Sequence, residues 1–211
     1  MKLTVEQVKS DIRALPENYK TADIDRLIKT YIKESVDASA LEPHILEHQE
    51  LHRIYYYVTL KQMERVEERM EFLDGHLHLA DWWHTDQLIG FVSELDFETA
   101  LGYAGEYVRS EDPYIRRWGY VLFISKLGRQ RAEELLPLTH NDDHYSVQMA
   151  QAWLIAELAV FQPEYVHQWL TACRLDYRVT GKAVQKICDS YRIADEWKAR
   201  FRALRPMLKE K

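Results

Sequence analysis

Apolar residues recur every three or four positions along most of the chain and almost nowhere alternate with polar ones. That period belongs to helices buried on one face. Thr4 with Gln7 forms a capping-box start for a first helix. A second is predicted over Ala22–Ser35, and Val36–Leu41 reads as a connector. One long helical pattern covers Pro43–Leu73, with a break expected near His52 and a stop at Asp74-Gly75. Beyond it the helices shorten. Starts are predicted near Asp81, Asp96, Asp112, Arg129, Asp143, Pro163, Thr180 and Ala194, because Asp is a good N-cap and Pro suits a first helical position. No two-residue hairpin turn is evident. The predicted class is all-α, with about ten or eleven helices.

A weak repeat runs through the second half. Ile115, Val147 and Val179 are spaced 32 residues apart, and the first two lie in the similar stretches DPYIRRWGYVLFISKL and DHYSVQMAQAWLIAEL. One helix pair per repeat of this length is the mark of an α-solenoid. A globular helical bundle is the structural alternative. We expect a single helical-repeat domain over residues 1–211, less regular over 1–75 and repetitive over 76–211.

Three helices carry bulky or charged residues away from their main apolar stripes. If Asp81–Leu95 is one helix, Leu88, Phe91, Val92 and Leu95 form its stripe. Trp82 and Asp86, four residues apart, share another face. In Val147–Leu158, Trp153 falls off the stripe of Val147, Leu154 and Leu158. In Tyr114–Leu127, Arg117 falls off the stripe of Tyr114, Trp118, Val121 and Leu122. Each Trp alone reads as packing against a neighbouring repeat. The combination suggests one surface.

Composition changes little in the fold class but narrows the function. An apolar share of 46% suffices for a sizeable core, and no apolar run reaches the length of a membrane span. The N-terminus is amphipathic and acidic, unlike a signal peptide. Cys173 and Cys188 read as reduced thiols, which favours a cytoplasmic protein. The net charge of −6 argues against a generic nucleic-acid binder. Its distribution qualifies that reading. Residues 1–105 hold 11 Lys+Arg against 20 Asp+Glu, a net −9, whereas residues 106–211 hold 17 against 14, a net +3. The acidic half suits a protein partner. In the other half Lys182 and Lys186 stand one turn apart, flanked by Arg178 and Arg192, and suit a DNA backbone.

These residues resemble the signature of the DNA alkylation repair family, bacterial glycosylases built from HEAT-like repeats. WWHTD resembles the family's Trp-x-x-x-Asp element. PYIRRWGYVL resembles its segment of aromatic, aliphatic, Arg and small residues, and VQMAQAWLIAEL its Val/Ile-Gln-x-Ala-x-small-Trp element. The three occur in the family's order, and the resemblance covers roughly residues 50–205. It implies a HEAT-like α-solenoid that excises cationic N3- or N7-alkylated purines from duplex DNA without a metal or other cofactor. The positions it implies are Trp82, Asp86, Arg117 and Trp153, with Arg116 as the alternative arginine.

Such chemistry has a physical rationale in these residue types. An alkylated purine is cationic, and an aromatic face attracts a cation by about 0.5–2 kcal/mol. A carboxylate stabilises oxocarbenium-like charge and orients a water. An arginine holds a phosphate through charge-assisted hydrogen bonds. A DNA-binding module without catalysis and a protein-interaction scaffold are the alternatives. Elsewhere, His44, His48 and His52 are spaced as on one helical face, a pattern that can bind metal but more often reflects packing. Tyr55-Tyr56-Tyr57 reads as packing, because three consecutive residues cannot share one face.

Overall fold

The computed structural model describes residues 2–210. Within it, 69% of the chain is helical, and the β structure among the described residues is one isolated bridge, Lys2 to Asp37. The chain divides into two compact units, residues 1–92 and 93–211. No helix among the described residues is long and apolar enough to cross a membrane.

The first unit contains α1 (Val5–Arg13), α2 (Thr21–Lys33), a 3₁₀ turn (Ser39–His44), α3 (Gln49–Lys61), α4 (Val66–Gly75), α5 (Trp82–Asp86) and α6 (Ile89–Val92). The Thr4 hydroxyl accepts from the Gln7 N–H, as its capping position predicts. Helix α3 lies centrally, packed on α2 and the 3₁₀ turn, and buries Leu51, Ile54, Tyr55, Tyr56, Val58 and Leu60. Burial of Tyr55 and Tyr56 assigns that run to packing.

The expected long helix over Pro43–Leu73 begins only at Gln49, after a non-helical stretch at 45–48 close to the break expected near His52, and is interrupted again at residues 62–65. Arg69 supplies the reason for the second break. Its Nε donates to the carbonyls of Leu60 and Met63, each at 3.1 Å, and Nη2 donates to Met63 at 2.8 Å. A guanidinium folded back onto carbonyls at the end of α3 satisfies groups that a continuing helix would have bonded internally. His44, His48 and His52 share no helical face. His44 ends the 3₁₀ turn, His48 caps α3 from outside, and His52 is buried. The expected single helix over Asp81–Leu95 is likewise two short pieces, α5 and α6, with Gln87 and Leu88 between them.

The second unit comprises α7 (Phe97–Tyr107), α8 (Pro113–Val121), α9 (Ala132–Leu135), α10 (Tyr145–Phe161), α11 (Pro163–Ala172), α12 (Tyr177–Asp189), α13 (Asp195–Ala203) and α14 (Arg205–Lys209). Helices α8, α10 and α12 pack side by side in one layer. Helices α9, α11 and α13 pack in sequence behind them, joined by the α10–α11 and α12–α13 pairs. This two-layer stacking is that of a helical-repeat array. The 32-residue repeat is real here: Ile115, Val147 and Val179 are each the third residue of α8, α10 and α12. Asp96 and Asp112 cap α7 and α8 as predicted. Helix α10 starts two residues after Asp143, and α12 starts three before Thr180, under an Asp176 cap. Gly119 lets α8 approach the end of α7, since a Cβ there would stand 2.9 Å from a Val108 methyl.

Candidate functional site

The Trp82–Asp86 segment belongs to the first unit and spans the single turn of α5. Asp81 caps it, its carboxylate accepting from the Trp82 N–H at 2.6 Å. Trp82 is 56% exposed, while its neighbours His84 and Thr85 are buried. The Thr85 hydroxyl lies 2.7 Å from the Trp82 carbonyl and 2.9 Å from Asp86 Oδ1. Its single proton goes to one of these two acceptors at a time, so the half-buried carboxylate competes with the turn's own carbonyl for it.

Behind this turn stands a stack of rings. His84 lies face to face with His52 of α3, ring centres 3.9 Å apart, and Trp83 meets both imidazoles. Hydrogen bonds fix the tautomers. His84 Nδ1 accepts from the Ala80 N–H at 3.0 Å. His52 Nε2 lies 3.0 Å from the His78 carbonyl, to which it must donate, and its Nδ1 accepts from the Gln87 amide at 2.6 Å. Both rings are therefore neutral. Burial lowers the pKa of each, that of His52 to about 3. Nothing in the sequence signals this pairing: His84 lies inside WWHTD and His52 ends the His44–His48–His52 spacing, but 32 residues separate them.

In the second unit, α10 is enclosed on nearly every side. Its partly open positions include Tyr145, Met149, Trp153 and Glu157, a row of i, i+4 steps. Trp153 thus lies on the open row, as its displacement from the apolar stripe predicts. Helix α12 runs alongside with a matching row of cations. Lys182 Nζ sits 5.5 Å from the Tyr145 ring centre, and Lys186 Nζ 5.9 Å from that of Trp153. Arg192 pairs with Glu157 through both of its terminal guanidinium nitrogens. Arg178 is exposed and pairs with Asp143 and Asp176. A hollow of about 490 Å³ opens beside Trp153, bordered by Glu157, Lys186 and Arg192 and by Tyr191, which is 93% exposed. Sequence reasoning missed Tyr145 and Tyr191. The regular spacing of Tyr145, Met149 and Trp153 is the signal that could have found the first.

The two arginines of α8 differ sharply. Arg116 is committed to structure. Its Nε and Nη2 hold Asp142 at 2.7 and 3.2 Å, and Nη1 donates to the carbonyls of Ser110 and Glu111, each at 2.9 Å. Burial works to raise the Asp142 carboxyl, but hydrogen bonds from Arg116 and the His144 N–H outweigh it and hold the group below the usual carboxylate range. Arg117 is 4% exposed and donates from Nη1 to the Ser146 carbonyl at 2.8 Å, in the first turn of α10. Its displacement from the α8 stripe predicted a more open position. Tyr114, placed on that stripe, is instead the more exposed of the two.

Paired helices stacked in two layers, with an open row of aromatics and cations along one layer, define the class: a helical-repeat protein with a polar, aromatic working surface. The profile of the DNA alkylation repair enzyme family matches residues 18–187, and the chain belongs to that family. No curated protein and no solved structure gives a match. Membership gives the protein a general role in DNA alkylation repair, with DNA as substrate or partner.

Proposed function

We propose that the protein hydrolyses the N-glycosidic bond of purines made cationic by alkylation at N3 or N7 in duplex DNA. The observation that carries this reading is an indole left 56% exposed one helical turn before a half-buried carboxylate. Exposing a Trp forgoes about 1.5–3 kcal/mol of burial, so its place on a short, capped turn calls for a ligand. A cationic purine is a ligand that an aromatic face attracts.

In this reading the C1′–N bond breaks with its electron pair going to the base, which leaves neutral. Positive charge passes to the sugar, and Asp86 stabilises it. Asp86 also orients the water that adds to C1′, and the water's proton is lost to the carboxylate or to solvent. The products are a free alkylpurine and an abasic site. Trp82 supplies the aromatic face beside Asp86; Trp153, in the second unit, presents another beside Lys186. The phosphate contact expected of Arg117 would require its guanidinium, 4% exposed and bonded to the Ser146 carbonyl, to become accessible. Arg178, Lys182, Lys186 and Arg192 contact the backbone.

Release of 7-methylguanine or 3-methyladenine from methylated duplex DNA tests the reading. Asp86→Asn should slow release by about a hundredfold without loss of DNA binding. Absence of release by the purified protein, or full activity in Asp86→Asn, would sink it.

A further inference from the structure

The first unit contains a hollow of about 500 Å³ that the family's motifs do not mention. The first turns of α2 and α3 line it, together with Trp83 and Gln87 from the α5 region. Its size lies within the range of small-molecule sites.

Two residues of α3 give the hollow opposite polarities, and Lys20 adds a second cation to its lining. Glu50 and Arg53 are three positions apart and so share a helical face. One oxygen of Glu50 accepts from the Tyr19 hydroxyl at 2.8 Å, which leaves the second oxygen for another donor. Arg53 is held in a single plane. Its Nε and Nη2 each hold Asp25 Oδ1 at 2.8 Å, Nη1 reaches Gln87 at 3.3 Å, and its guanidinium carbon sits 4.1 Å over the Tyr57 ring. A guanidinium has five N–H groups. These contacts use three of them, and Arg53 lines the cavity. The indole of Trp83 adds a flat wall, itself braced against His52 and His84.

A flat ligand with acceptors on one part of its edge and donors on the adjacent part would satisfy both groups. Guanine has that edge. Its O6 and N7 suit an arginine, and its N1–H and N2–H₂ groups suit a carboxylate. Adenine presents a donor where guanine has O6 and an acceptor where guanine has N1–H. We infer that this hollow binds an unmodified guanine base, delivered as a mononucleotide or extruded from a DNA strand. Methylation at N7 would remove an acceptor from Arg53 and place positive charge beside it. The site therefore reads the intact base, and the inference does not rest on the glycosylase reading.

Calorimetric titration of the full chain tests it. The probes are dGMP, dAMP and 7-methyl-dGMP, with duplexes carrying a single bulged dG or bulged dA. Guanine ligands should bind at least about tenfold more tightly than their adenine counterparts, and 7-methyl-dGMP should lose that advantage. Binding of dGMP itself assigns a nucleotide site, whereas preference confined to the bulged dG assigns an extruded base. Glu50→Gln keeps the Tyr19 contact and should weaken guanine binding about tenfold or more. Thr21→Trp, which fills the hollow from its exposed rim, should abolish it, with circular dichroism confirming that both variants fold. Equal binding of guanine and adenine ligands, or a guanine preference unchanged in both variants, overturns the inference.

Discussion

His52 has its charge state written in its hydrogen bonds. With Nε2 donating to a carbonyl and Nδ1 accepting from Gln87, a second proton has no place to go without breaking a contact. The folded pKa of about 3 lies below the ordinary 6.5. Below pH 6.5 the unfolded chain therefore takes up a proton that the folded chain refuses, and stability falls as the pH drops toward 3. The cost is about 1.4 kcal/mol per pH unit, or about 2 kcal/mol between pH 6.5 and about pH 5. His84, also lowered by burial, acts in the same direction. Urea unfolding across this range measures the slope, and His52→Gln should flatten it. An unchanged slope in that variant would remove His52 from the account. Because these rings back the Trp82 turn, acid should loosen that turn first. Arg116 teaches a different lesson. Neighbouring arginines in PYIRRWGYVL are indistinguishable in sequence, yet Asp142 claims one and Ser146 the other. Only long-range partners separate them.

At the scale of the element, α10 and α12 divide the labour between aromatic and cation. The open row of α10 presents Tyr145 and Trp153, and that of α12 presents Lys182 and Lys186 against them. If both lysines meet phosphates, Lys182→Gln and Lys186→Gln should each reduce the slope of log K against log salt by about 0.9. Equal slopes for variants and parent, from fluorescence anisotropy with a duplex at several salt concentrations, would exclude the contacts. The cation row was legible in GKAVQKICDSYR, because a one-turn spacing marks a helix face. The aromatic row was half legible. Trp153 stood out by its displacement, whereas Tyr145 sits in the first turn, where a stripe is poorly defined. Helix breaks were the least legible. The end of α3 depends on Arg69, whose folding back onto the Leu60 and Met63 carbonyls is a tertiary choice. The split between α5 and α6 leaves Leu88 buried in the turn, so the apolar pattern continues across a gap in the helix.

For the whole molecule, the class of fold was legible because period-3.6 patterning and Asp caps agree over most of its length. The 32-residue spacing also marks equivalent positions in α8, α10 and α12. The charge asymmetry carries over as well. The second unit holds the open cation row, while in the acidic first unit Arg69 is occupied with backbone carbonyls. Burial around α10 has a further consequence, visible on the scale of hours. A helix wrapped on nearly all sides by its own unit gives its amides no local route to water, so exchange must wait for the unit to open. The five- and four-residue helices α5 and α6 have no such enclosure along their length. Deuterium should therefore enter the Trp82 turn well before the middle of α10, whose amides should report the opening free energy of the second unit itself. Early labelling around Trp153 would show instead that the helix opens by itself, and that its aromatic row is a moving part.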